Sequence, residues 1–261
     1  MIRRLATIRR LAAAVATFAL LLAPAAAEPL RLRVASEGAR PPFNYLDANN
    51  QLAGFEIDLT REICRRIAAD CVFVTQEWES LVSGLENRQY NLVVSAMEID
   101  EERLRKIDFS KPYAHRPSAL IAQRQSALAS AEPKALQGAR IGVVADGPQQ
   151  AYAEDKFKES EIQRYATLEA AMLDLAEGRV DVVAEDKLAA VDFLRERKEG
   201  RCCRIVADLP QDAAYFGGGF GIGLRKADAA LKRAIDAALE AIVADGSYRT
   251  IRAKYFDFDI R

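Results

Sequence analysis

Three short segments of the chain carry residue types suited to capturing a small charged molecule. The first, Ser95-Ala96-Met97-Glu98, runs through Asp100 into Glu101-Glu102-Arg103. Acidic residues are favoured in the first turn of a helix, so an arginine there is unusual. Its planar guanidinium fork matches a carboxylate bidentately, and the plainer reading is a surface arginine paired with Glu101 or Glu102. The second segment is Asp146-Gly147-Pro148-Gln149. Glycine lets backbone approach a ligand closely, proline belongs in a helix's first turn, and free amides at a helix start favour an anion; many strand-to-helix turns read the same way. The third is Glu185-Asp186-Lys187, whose Asp186 can pair with a ligand ammonium or simply cap the helix running through Leu188 and Val191. An arginine, a helix N-terminus and an aspartate together would hold a zwitterion.

Such residues act together only if the fold brings them to one crevice, and each segment follows a strand pattern. Leu30 to Ser36 alternates like a strand, Pro41-Pro42 opens a loop, and Leu59, Ile63 and Ile67 repeat every four residues as one face of a helix. Cys71 to Thr75 reads as a strand, Ser80 to Asn87 as a helix, and Tyr90 to Ala96 as a continuous apolar strand covered on both faces. The order recurs with a strand at Arg140 to Ala145, helices at Gln149 to Lys158 and at Leu168 to Glu177 capped by Gly178, and a strand at Arg179 to Ala184. Alternating strands and helices predict an α/β fold with doubly wound, mainly parallel sheets. LVSGLENRQYNLVVSA and AMLDLAEGRVDVVAE echo each other as helix, arginine-bearing turn and Val-Val strand, with one extra residue in the first copy. The echo is too short to prove duplication but fits two similar lobes, with the ligand expected outside the carboxyl ends of the strands.

Bulk properties narrow the function. Arginines at positions 3, 4, 9 and 10 precede an apolar run from Leu11 to Ala23 and then Ala25-Ala26-Ala27, the layout of a secretory signal peptide cleaved after Ala27. The run is shorter than the roughly 20 residues that span a bilayer. Removing it leaves about 234 of the 261 residues, enough for two lobes of roughly 100 residues each. With 37 basic and 38 acidic residues, the chain lacks the basic excess of a nucleic-acid binder. One histidine among the 261 residues argues against a metal site. In an oxidising compartment the four cysteines pose a disulfide question. Cys64 and Cys71 suit a short staple; for the adjacent Cys202 and Cys203 two partly buried thiols compete with an uncommon vicinal disulfide.

The stretch GFEIDLTREICRRI resembles the signature of the family 3 extracellular solute-binding proteins, the amino-acid receptors of ABC importers. The resemblance runs from Leu32 to the C-terminus through the Arg103 segment, KIDFSKPY, GRVDVV, AYFGGGFGIGLRK and DGSYRTIRAKYFDF. Within the family it is most similar to the lysine/arginine/ornithine and histidine receptors, which also carry a cysteine pair like Cys64 and Cys71. It implies a two-lobed type II periplasmic binding fold, Arg103 on the ligand α-carboxylate, Asp186 on the α-ammonium and Trp78 flanking the ligand, where a plainer reading makes Trp78 a core residue. Ser95 and Glu37 match ligand-contacting positions. Several residues depart from the pattern: Arg40 stands where those receptors have an aromatic residue, Ala96 and Glu98 replace serines, and Pro148 replaces a threonine. Proline donates no amide hydrogen bond, which leaves Gly147 and Gln149 as that turn's remaining contacts. Arg40 either meets the ligand or neutralises Glu37, since an unpaired charge in a closed cleft is costly.

The resemblance further implies a periplasmic receptor, expected as a monomer, that captures a polar amino acid, with cationic side chains favoured, and passes it to an inner-membrane ABC permease. Lobe one is expected at 28–114 and 215–261 and lobe two at 119–208, with hinge crossings at 115–118 and 209–214. His115 lies by the first crossing, and a lone histidine is more often structural than catalytic. An enzyme on the same scaffold is the rival reading, because relatives include cyclohexadienyl dehydratases and Glu98 could serve as general acid. A sensor subunit is a third. The glycine run at 217–219 lacks P-loop spacing, and no cofactor is expected.

Overall fold

The computed structural model describes residues 30–261, so the expected signal peptide lies outside the described residues. In chain order the elements are β1 (Leu30–Ser36), β2 (Ala39–Arg40), β3 (Asn44–Leu46), β4 (Leu52–Ala53), α1 (Phe55–Arg66), β5 (Ala69–Thr75), α2 (Leu81–Glu86), β6 (Leu92–Val93), α3 (Glu101–Lys106), β7 (Asp108–Phe109) and β8 (Ser118–Gln123). They continue with β9 (Arg140–Val144), α4 (Pro148–Lys156), β10 (Glu161–Tyr165), α5 (Leu168–Ala176), β11 (Val182–Asp186), α6 (Lys187–Glu196), β12 (Cys203–Asp208), α7 (Ala213–Phe216), β13 (Gly223–Leu224), α8 (Ala229–Ala244) and α9 (Ser247–Arg252). They build two five-stranded sheets, ordered β5-β1-β6-β13-β7 and β10-β9-β11-β8-β12, and a small sheet β2-β3-β4.

Each large sheet is covered on both faces. In lobe one, Leu32, Val34 and Leu92 pack with α1 and α8 through Phe55, Leu59, Ile63, Ile235 and Leu239, while Ala35 and Val93 face Leu81, Leu85 and Met97 on the other side. In lobe two, Leu120, Ile141 and Val143 meet Tyr152 and Phe157, and Ile121 and Val183 meet Met172, Leu175 and Phe193. Adjacent strand residues point to opposite faces, which is why Leu120 and Ile121 serve different cores.

The parallel ladders are those of the βαβ units: β1 with β5 and β6, and β9 with β10 and β11. In the two large sheets the antiparallel pairings involve the strands by which the chain leaves one sheet and enters the other. β7 leads out of the first sheet and β8 into the second, β12 leads out and β13 returns.

The internal echo has a structural counterpart. Asn91 accepts the Arg33 amide on its side chain and donates its own amide to the Arg33 carbonyl, at 2.9 and 2.8 Å. Asp181 does the same with Arg140, at 2.8 and 2.9 Å. The left-handed residue after the preceding helix is Arg88 in lobe one (φ 61) and Gly178 in lobe two (φ 72). The two copies therefore match residue for residue from Leu85 and Leu175 onward, with no extra residue in the first copy.

The expected strand Tyr90 to Ala96 pairs formally at Leu92 and Val93 alone. Asn91 and Val94 still donate to Arg33 and Ala35, but at Ser95 the side chain takes over as acceptor and Ala96 turns into the left-handed region (φ 44). Cys64 and Cys71 form the expected disulfide between α1 and β5. Cys202 and Cys203 are bonded to each other, so the reading of two thiols does not hold.

Candidate ligand crevice

On the lobe-one side, Asp100 caps α3 by accepting the Arg103 amide at 2.8 Å. The same carboxylate accepts a hydrogen bond from the Arg103 guanidinium, which also donates to the Glu98 carbonyl at 3.1 Å. The partner of Arg103 is thus the capping residue itself, not Glu101 or Glu102. A guanidinium inside a first turn, against the helix dipole, is stabilised by the aspartate that the cap requires anyway.

Trp78 lies between two arginines, with Arg40 4.6 Å and Arg103 5.6 Å from the ring centroid. The ring is partly buried against the core that holds Leu81 and Met97. Arg40 also stands 3.8 Å from Glu37, a separation that suits a weak exposed pair. The Glu37 amide donates to the hydroxyl of the fully buried Ser95 at 3.0 Å. Glu98 lies against Gly217, where an added Cβ would fall 1.5 Å from its carboxylate; no larger residue fits there without moving Glu98.

On the lobe-two side, Gly147 precedes α4 and Pro148 is its first residue. Gln149 donates to the Ser118 hydroxyl at 2.9 Å, and Gln150 accepts the amide of Asp146, which is itself left-handed (φ 60). Asp186 is 8% exposed. One of its oxygens caps α6 through the Ala189 amide at 3.0 Å and the other accepts from Arg116 at 3.2 Å. The cap and the charge partner are therefore compatible on one carboxylate, each using one oxygen. Burial pushes the neighbouring Glu185 carboxyl up.

Three hollows open among these residues, and Glu37, Ser95 and Gly147 line none of the three. Arg40, Ala96, Arg116 and Asp186 line one of about 360 Å³. Glu98, Pro148, Gln149 and Asp186 line a second of about 200 Å³, and Trp78 and Arg103 a third of the same size. Asp186 joins the first two, whereas Arg103 shares no hollow with it.

Two residues, one in the crevice and one beneath it, escaped sequence reasoning. Arg116 is an exposed residue in a loop, and no periodicity marks it. Glu56 is fully buried and accepts the Ala96 amide at 2.6 Å, the Asn44 side-chain amide at 2.6 Å and the Tyr113 hydroxyl. Burial pushes its carboxyl up, against the three donors that pull it down. Its signal was legible: a glutamate between Phe55 and Ile57 on an apolar helix start.

The fold and the crevice define a two-lobed type II binding protein. The chain belongs to the bacterial extracellular solute-binding proteins, family 3, whose pattern it matches over residues 32–258. It is 34% identical over 239 residues to the L-arginine-binding protein of Pseudomonas aeruginosa, covering 90% of this chain and 91% of that one. It is 32% identical over 239 residues to the lysine/arginine/ornithine-binding periplasmic protein of Escherichia coli, again covering 90% and 91%. Among solved structures, the L-cystine solute receptor of Neisseria gonorrhoeae in its unliganded open conformation superposes with a TM-score of 0.74 at 22% identity, covering 89% of this chain and 95% of that one. That likeness is one of fold.

Proposed function

We propose that this chain is a periplasmic receptor, exported by cleavage after Ala27, that closes on a polar α-amino acid and presents it to an inner-membrane ABC permease. The observation that carries the reading is Asp186. It is a nearly buried carboxylate on lobe two, in the same hollow as Arg40 and Ala96 of lobe one, positioned to take a ligand ammonium in exchange for Arg116. Arg103, with Trp78 beside it, takes the α-carboxylate from the opposite lobe. Ala96, Gly147, Pro148 and Gln149 supply the surrounding surface, Ser95 lies buried beneath it and holds the Glu37 amide, and Glu37 and Glu98 favour a ligand with a cationic side chain. The names of the arginine- and lysine-binding relatives support this class.

The reading includes a binding role without catalysis, a monomer without nucleic acid, and lobes that rotate about crossings at 115–118 and 209–214. The side chains of His115 and Gln211, one on each crossing, lie 3.3 Å apart, which suits two crossings that move as a pair. Closure then shifts the population toward the liganded arrangement.

The test is a thermal-shift screen of refolded mature protein against the twenty amino acids, ornithine and citrulline. A ligand at about 100 times its Kd stabilises by about 2.7 kcal/mol, or roughly 5 to 10 °C for a protein of this size. A response to α-amino acids that disappears in Arg103→Ala and in Asp186→Ala supports the reading. Silence across the panel overturns it.

A further inference from the structure

Glu56 lies under the crevice, within the segment GFEIDL, and touches none of its hollows. Its first oxygen accepts from the Ala96 amide and the Tyr113 hydroxyl, and its second from the Asn44 side-chain amide. The remaining Asn44 oxygen accepts the amides of Gly38 and Ala39 at 2.9 and 3.2 Å. One buried carboxylate thus reaches the left-handed turn after β6, the chain just before the first crossing and, by relay, the loop that ends in Arg40. We infer that Glu56 is a positioning residue for the crevice: through Asn44 it sets the loop that places Arg40 on Trp78, and directly it sets the Ala96 turn that leads to Glu98 and Arg103. The inference rests on the crevice being the ligand site.

The polarity of the relay makes this specific. The Ala96 and Asn44 amides, one on each oxygen of Glu56, can only donate, so both oxygens must accept. In Glu56→Gln one oxygen becomes an amide donor, which confronts the Ala96 amide in the first oxygen's place or the Asn44 amide in the second's. Turning Asn44 over answers the latter clash and creates another, because its amide then faces the donors of Gly38 and Ala39. The mismatch travels to Arg40. Replacing Asn44 by Asp in the same chain restores an acceptor toward both neighbours.

Trp78 is the chain's one tryptophan, and Arg40 stacks on it, so its fluorescence reports the loop without any ligand. The experiment compares wild type, Glu56→Gln, Glu56→Gln with Asn44→Asp, and Leu175→Ala, a change in the buried lobe-two core that lowers stability away from the crevice. Trp78 emission and acrylamide quenching are read alongside L-arginine affinity by calorimetry. The expected result is that Glu56→Gln red-shifts Trp78, exposes it to quencher and weakens L-arginine by about tenfold, that Asn44→Asp restores both, and that Leu175→Ala lowers Tm alone. If Glu56→Gln lowers Tm as Leu175→Ala does and leaves Trp78 and the affinity unmoved, Glu56 is a core residue only and the inference falls. Should Glu56→Gln fail to fold, Asn44→Ala cuts the relay while leaving the Ala96 and Tyr113 bonds, and an unmoved Trp78 spectrum in that variant overturns the inference equally. If wild type binds no α-amino acid, the proposed function falls while the Trp78 comparison still decides the role of Glu56.

Discussion

Asp100 performs two tasks with one side chain, capping α3 and pairing with Arg103. Asp100→Ala should cost about 1 kcal/mol of stability, the usual loss for a helix cap, readable by urea unfolding. Asp100→Ser keeps the cap acceptor and should recover most of that loss while still freeing the guanidinium. A difference in ligand affinity between Asp100→Ser and wild type would therefore measure the pairing without the cap. Asp186 divides its oxygens in the same way. Asp186→Asn keeps a capping oxygen but removes the charge, so it should weaken an ammonium ligand far more than it lowers Tm.

At the scale of elements, two local devices invite measurement. The disulfide between Cys64 and Cys71 closes a short loop, with a sequence separation of 7. Replacing both cysteines by serine should cost roughly 2 kcal/mol on chain-entropy grounds, seen as a lower urea midpoint. Gly54 sits at φ 120 before α1, and an added Cβ would meet the Phe43 carbonyl oxygen at 2.4 Å. Gly54→Ala should therefore destabilise by about 1 to 3 kcal/mol or more, because both the backbone and the neighbouring chain must shift. That neighbouring chain also carries Asn44, so the same substitution should disturb Trp78 fluorescence. The matching clasps of Asn91 on Arg33 and Asp181 on Arg140 show how β1 is registered against β6 in one lobe and β9 against β11 in the other.

Charge governs the whole molecule's response to pH. Hydrogen bonds from Arg65 and then Arg66 hold the Glu62 carboxyl down to about 2. A depressed carboxyl contributes stability that is fully present above its unfolded value, 4.5, and is lost as pH falls toward about 2. Tm should decline across that window, and less steeply in Glu62→Gln. Burial holds His115 below its ordinary value of 6.5. A histidine with a lowered pKa contributes stability above 6.5 that is lost as pH falls through that value toward the folded one. A wild-type Tm that falls between pH 7 and 5, with a flatter profile in His115→Gln, is the expected outcome.

The alternation of Leu30 to Ser36, the four-residue repeat of α1 and the helix-turn-strand echo determined the α/β class and the two-lobed plan, because they depend on periodicities local to the chain. The motifs around Arg103 and Asp186 likewise pointed to crevice-facing turns, since strand ends in such folds face the switch point. Which partners those side chains choose was decided only in three dimensions. Arg103 meets its own cap, Arg40 stacks on Trp78, Arg116 reaches Asp186, and Glu56 ties together Asn44, Ala96 and Tyr113. Several of these contacts join residues tens of positions apart, and their strength depends on burial. Neither distance nor desolvation is encoded in local spacing; both arise when the sheets pack and water leaves.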